Sequence, residues 1–175
     1  MDFSSDHFSL FNLPCNFRLD TSVLDQRFRE AQAKVHPDKY VQAGETERRL
    51  SLQWATRVNE AYQTLKKPLA RAQYLLKTRS HDVDAENNSA MPADFLMEQM
   101  EWREAVAEAR TAREQNELEQ LHYRVKQRMN ARYEELGALL DDQQDYALAA
   151  DRVRRLMFLE KLLFDIDDAM GALED

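Results

Sequence analysis

The chain should fold entirely as α-helices, with a helical hairpin and short flanking helices at the front and a three-helix bundle at the back. Three observations predict this. Only three glycines and four prolines occur in 175 residues, too few breakers for the many turns of a sheet protein. The composition is 43% hydrophobic and 32% charged, and the apolar residues recur every three or four positions over long stretches, the spacing of a helix with one buried face. No internal repeat interrupts this plan.

Asp6 is placed to cap a short first helix carrying Phe8, Leu10, Phe11 and Leu13, which ends at Pro14. Asp20 or Thr21 caps a second, whose stripe is Leu24, Phe28, Ala31 and Val35. Pro37 stops it, because proline disfavours helical geometry in the residue before it. After Gly44 a third helix runs from about Glu45 to Leu65 on Trp54, Val58, Ala61 and Leu65, and Pro68 sits in the first turn of a fourth bearing Leu69, Tyr74, Leu75 and Leu76. Periodicity is lost from Arg79 to Pro92, where Asp82, Asp84, Asn87, Asn88 and Ser89 read as a linker. Three long helices follow, about 93–113, 115–140 and 144–173. The middle one buries Leu118, Leu121, Val125, Met129, Leu136 and Leu140, and the last turns Leu156, Leu159, Leu163, Ile166 and Met170 inward.

Charge is divided unevenly. Through Thr78 there are 12 Lys+Arg against 9 Asp+Glu, and beyond it 12 against 23, so a front of about +3 precedes a back of about −11. A nucleic-acid partner is not expected, since phosphate binding needs a concentrated basic face. Cys15 is the only cysteine, which rules out an internal disulfide and leaves a cysteine-based zinc site short of ligands. The start Met1-Asp2-Phe3-Ser4-Ser5-Asp6 has neither a basic leader nor an apolar run, and no stretch approaches the roughly 20 apolar residues of a membrane span. A cytoplasmic protein with no membrane partner is expected.

Two features exceed what a bland helical protein needs. His36-Pro37-Asp38 stands at the tip of the hairpin; it reads either as a helix stop with solvated neighbours or as a recognition loop. An acid–base pair of His36 and Asp38 is the least favoured reading, because a catalytic pair needs a pocket, a third group or a metal, and His7, His81 and His122 are scattered. The second feature lies on the helix from Ala93. At about 100° per residue, Phe95, Trp102, Val106 and Ala109 fall within roughly 60° of one another as a core stripe, whereas Leu96, Met97 and Met100 point elsewhere, among Glu101 and Glu104. Those three are boundary core, a contact with the front domain, or an exposed patch for a partner. On the last helix Phe158 lies roughly 120° or more from the middle of the inward stripe, and Met157 and Phe164 are displaced as well.

The sequence closely resembles the HscB family of J-domain co-chaperones of iron–sulfur cluster assembly. At the front the resemblance rests on His7-Phe8-Ser9-Leu10-Phe11-Asn12-Leu13-Pro14, Val35-His36-Pro37-Asp38-Lys39, Asn59-Glu60-Ala61-Tyr62-Gln63-Thr64-Leu65 and Pro68-Leu69-Ala70-Arg71-Ala72. At the back it rests on Phe95-Leu96-Met97-Glu98-Gln99-Met100-Glu101 and Arg152-Val153-Arg154-Arg155-Leu156-Met157-Phe158-Leu159. It implies a J-domain over 1–78, a linker over 79–92 and a scaffold-binding three-helix domain over 93–175. It further implies that His36, Pro37 and Asp38, with Arg27, Arg29 and Lys34, engage the DnaK-type chaperone HscA and stimulate its ATP hydrolysis. Leu96, Met97, Met100, Glu101, Glu104 and Phe158 match positions that bind the cluster scaffold protein IscU. Asp25 and Glu30 make the chaperone-facing helix less basic than in general J-domains, and Met100 replaces the usual leucine with little change of volume. The N-terminal cysteine zinc module of some eukaryotic relatives is missing. An adaptor is implied, with no catalytic residue, cofactor or metal of its own; a general J-domain co-chaperone for other clients is the alternative.

Overall fold

The computed structural model describes residues 5–83 and 92–174. Of the linker expected over 79–92, residues 84–91 lie outside them. All regular structure among the described residues is helical, with no strand, and no described helix is long and apolar enough to cross a membrane. The chain divides into two compact units, Met1–Leu75 and Leu76–Asp175.

In the first unit α1 (His7–Leu10) begins at Asp6, whose carboxylate accepts from the Ser9 N–H at 2.9 Å. Helix α2 (Thr21–Val35) is capped by Asp20 through the Ser22 and Val23 N–H groups. A 3₁₀ turn, Pro37–Tyr40, follows, and α3 (Glu45–Lys66) returns antiparallel against α2. Trp54, Val58, Ala61 and Leu65 are buried from α3, and Leu24, Ala31 and Val35 from α2. Fully burying each of the larger ones contributes about 1.5–3 kcal/mol. Phe28, expected in that stripe, is only half-buried because its ring stacks on Tyr62 at the rim, with centroids 4.0 Å apart. Leu10, Leu13 and Tyr74 are likewise half-buried, while Phe8 and Phe11 fill the centre.

Two prolines end helices in this unit, and each time a buried side chain takes over the backbone's bonding. Pro68 opens α4 (Pro68–Thr78), and the carbonyl of Leu65 is met by the Arg71 guanidinium at 2.6 Å. Arg71 also donates to the Phe17 carbonyl at 2.7 Å and lies over the Phe17 ring. Pro37 ends α2, and the Ser51 hydroxyl donates to the Val35 carbonyl at 2.8 Å.

The second unit holds α5 (Ala93–Ala112), α6 (Gln115–Gly137) and α7 (Tyr146–Glu174), packed as a three-helix bundle. Helix α6 widens into a π-helical turn over Ala138–Gln143, and Gln144 then takes a left-handed conformation that ends it. The last helix therefore starts at Tyr146 rather than at 144, with the Asp145 carboxylate accepting from the Leu148 N–H.

Two expectations are corrected here. The inward face of α7 centres on Leu156, Leu159, Leu162, Ile166 and Ala169, with Leu163 and Met170 half-buried at its margin, because two neighbouring helices rather than one define the buried arc. Trp102 is not core: it is half-buried, carries the Arg124 guanidinium over its ring at 5.1 Å, and lines an open groove of about 620 Å³ between α5 and α6 with Ala105 and Tyr123.

Candidate functional site

The hairpin tip is built by the two residues that cannot stay in α2. His36 leaves the helix in an extended conformation (φ −60°, ψ 127°), and its Nδ1 accepts from the Asp38 N–H at 3.3 Å, capping the 3₁₀ turn. Nδ1 is thus the acceptor in that bond. The Asp38 carboxylate lies 3.5 Å from Nδ1, and its side chain is 86% exposed against 50% for His36. The acid and the imidazole stand at an open tip, and among the described residues no third group organises them. Among the described residues no cluster of His, Cys, Asp and Glu could hold a metal ion.

Of the basic residues before the tip, Arg27 pairs with Glu30 at 3.5 Å on α2. Lys34 lies seven residues further, on nearly the same face, whereas Arg29 is about 200° round the helix from Arg27. The three do not form one stripe. Asp25, at the far end of the hairpin, accepts from the Tyr62 hydroxyl at 2.8 Å, and Lys66 reaches both groups. The Tyr62 hydrogen bond, aided by Lys66, holds the Asp25 carboxyl below its ordinary pKa despite some desolvation.

On α5 the second cluster faces outward. Leu96 is 46% exposed, Met97 62% and Met100 69%, and Glu101 and Glu104 are exposed beside them. Leu96 is therefore not core. Phe158 is half-buried: its ring meets Phe95 edge-on at 5.9 Å, and the Arg103 guanidinium lies over it at 5.5 Å. It thus sits in the seam between α7 and α5, on the flank of the exposed patch. Phe164 is 71% exposed further along α7, and Met157 is half-buried.

Behind the patch, α5 is pinned by charge. Glu98 receives Arg128 at 3.0 Å, Arg132 at 3.6 Å and Arg155 at 3.7 Å. Arg155 also reaches Asp94 and Asp151 and covers the Phe95 ring at 4.8 Å. Desolvation alone would raise the Asp94 pKa, but the hydrogen bond and charge of Arg155 outweigh it and hold the carboxyl low. Arg152 is pushed up by its hydrogen bond to Glu135 at 2.7 Å. Neither Glu98 nor Arg155 stands out in the sequence; the only available signal is the three arginines Arg152, Arg154 and Arg155 on a helix whose other charges, Lys161 apart, are acidic.

Comparison with known proteins bears on both units. The family model for the HSCB C-terminal oligomerisation domain matches residues 91–167. A co-chaperone protein HscB homolog of Azoarcus sp. is 52% identical over 175 residues, covering 100% of this chain and 99% of that protein. One of Aromatoleum aromaticum is 50% identical over 174 residues, covering 99% and 98%. Among solved structures, chaperone HscB from Vibrio cholerae superimposes with a TM-score of 0.83 at 36% identity, covering 97% of this chain and 99% of that one. Human co-chaperone protein HscB gives 0.89 at 30% identity, covering 95% and 83%. Coverage of this extent means that the hairpin is shared as well as the bundle.

Proposed function

The chain belongs to the HscB family of co-chaperones, and from that membership we propose that it binds the iron–sulfur scaffold protein IscU, delivers it to the DnaK-type chaperone HscA and stimulates that chaperone's ATPase. In this reading residues 1–78 act as the J-domain and 93–175 as the scaffold-binding domain. His36, Pro37 and Asp38 engage the chaperone, with Arg27 and Lys34 on the adjoining face and Arg29 outside it. Leu96, Met97, Met100, Glu101, Glu104 and Phe158 engage the scaffold. The observation that carries the reading is the exposed apolar group Leu96, Met97 and Met100 set among carboxylates, an apolar centre with a polar rim as in many protein interfaces.

Function then follows from holding two proteins together. Tethering raises the effective concentration of scaffold beside chaperone, and the tip favours the chaperone state that hydrolyses ATP. A tenfold acceleration needs only about 1.4 kcal/mol of differential interaction, within the range of one charge-assisted hydrogen bond that a partner donates to a carboxylate as exposed as Asp38. No group of this chain has to touch ATP, and no cofactor or metal enters the scheme. Titrating purified scaffold into the protein, then following the chaperone's ATPase rate, tests it. Binding with further stimulation is expected. Stimulation without any scaffold binding would instead favour a general co-chaperone for other clients.

A further inference from the structure

We infer that Ser51 is a positioning residue for the His36-Pro37-Asp38 tip, its buried hydroxyl fixing the direction in which the tripeptide leaves the hairpin. The inference rests on the functional reading above for its consequence, but its geometry stands by itself. The last carbonyls of any helix lack partners within the helix, and backbone N–H groups just beyond the end usually supply them. That supply fails here. Pro37 has no N–H, His36 is extended, and the Lys39 N–H is used on the His36 carbonyl at 3.1 Å. The carbonyls left behind find side chains instead: Val35 accepts from Ser51 at 2.8 Å, and Lys34 from the Tyr40 hydroxyl at 3.3 Å.

Ser51 is unusual for its position. It lies on the inward face of α3, in register with Trp54, Val58, Ala61 and Leu65, and is 4% exposed. A hydroxyl within a helix commonly bonds back to the carbonyl four residues earlier, as Thr56 does to Leu52 on this same helix at 3.0 Å. Ser51 reaches across to the end of α2, sixteen residues away in sequence. A buried polar group that spans two helices at the point where one must stop sets an angle as well as contributing stability. Removing the hydroxyl leaves a buried carbonyl unpaired and frees the tip to swing. Beside it an open space of about 360 Å³, lined by Val35, Tyr40, Leu50, Ser51 and Trp54, leaves room for one added methyl group.

The test compares the full-length protein with Ser51→Ala and Ser51→Thr, the latter keeping the hydroxyl. Backbone order parameters of His36, Asp38 and Lys39 are expected to fall from about 0.85 toward about 0.6 in Ser51→Ala, with those of Val58 and Ala61 unchanged, and to return in Ser51→Thr. Maximal stimulation of the chaperone should drop by about threefold to tenfold in Ser51→Ala, as loss of one net hydrogen bond allows, while scaffold affinity is kept. Ser51→Thr should recover it. Unchanged order parameters in Ser51→Ala, undiminished stimulation, or a Thr variant as weak as the Ala variant would each overturn the inference. Should Ser51→Ala fail to fold, Ser51→Cys, with its weak donor, carries the same comparison. A wild-type protein that does not stimulate the chaperone at all would sink the functional reading, and the order parameters would still decide the positioning role.

Discussion

His7 stacks on Tyr74 with ring centroids 4.2 Å apart, and its buried Nδ1 has no hydrogen-bond partner. Burial, and secondarily the Arg57 charge, lower its pKa from the ordinary 6.5. The unfolded chain then binds the proton more readily, so the stability tied to a neutral His7 is present above pH 6.5 and is lost as pH falls through the depressed folded value. Asp25, also depressed, acts in the same direction but only below 3.8. The urea midpoint should therefore fall between pH about 7.5 and about 5.5, and His7→Gln should flatten that slope; equal slopes would remove His7 as the cause. At the tip the expectation is functional. Asp38→Asn should abolish ATPase stimulation yet move unfolding free energy by no more than about 0.5 kcal/mol, as for exposed substitutions generally. Circular dichroism and scaffold binding, measured alongside, should be unchanged; joint loss of all three would make the site structural. Sequence made the tripeptide visible because proline's effect is local. It could not reveal the Ser51 bond, which joins residues sixteen apart in the chain.

Helix α5 shows most clearly what periodicity can and cannot tell. Spacing separated Phe95, Val106 and Ala109, all buried, from Leu96, Met97 and Met100, all exposed. It misassigned Trp102, since a position on the edge of a stripe is buried or not according to where the neighbouring helix lies. The same reason moved the inward face of α7 to Leu162 and Ala169. Leu96→Ala with Met100→Ala should weaken scaffold affinity by about 100-fold, taking each side chain at the lower end of its burial energy. Thermal stability should hardly change, and a large fall would mean that these side chains serve the core. Arg155→Ala should behave in the opposite manner. Its side chain is 10% exposed and bridges Asp94, Glu98 and Asp151, so its loss should cost about 2 kcal/mol in chemical unfolding. Retention of full stability would show that Arg128 and Arg132 suffice to hold Glu98.

At the scale of the whole molecule the two units give the proposed adaptor two separable ends. In the full chain, Asp38→Asn should keep scaffold binding and lose stimulation, and the Leu96, Met100 double variant should do the reverse. Mixing the two variants should not restore scaffold-enhanced stimulation, because effective concentration is a property of one covalent chain. Recovery in the mixture would show that the ends act as independent proteins. The sequence by itself determined the helical class, nearly every helix start and stop, and the candidate residues at both ends, since caps, prolines and apolar spacing act over a few neighbouring residues. Only the tertiary structure decided which stripes are buried, that Phe158 sits against Phe95 in the α5–α7 seam, and that Ser51 secures the end of α2. These depend on where a second helix approaches, and that placement is fixed by packing across the fold rather than by any local pattern.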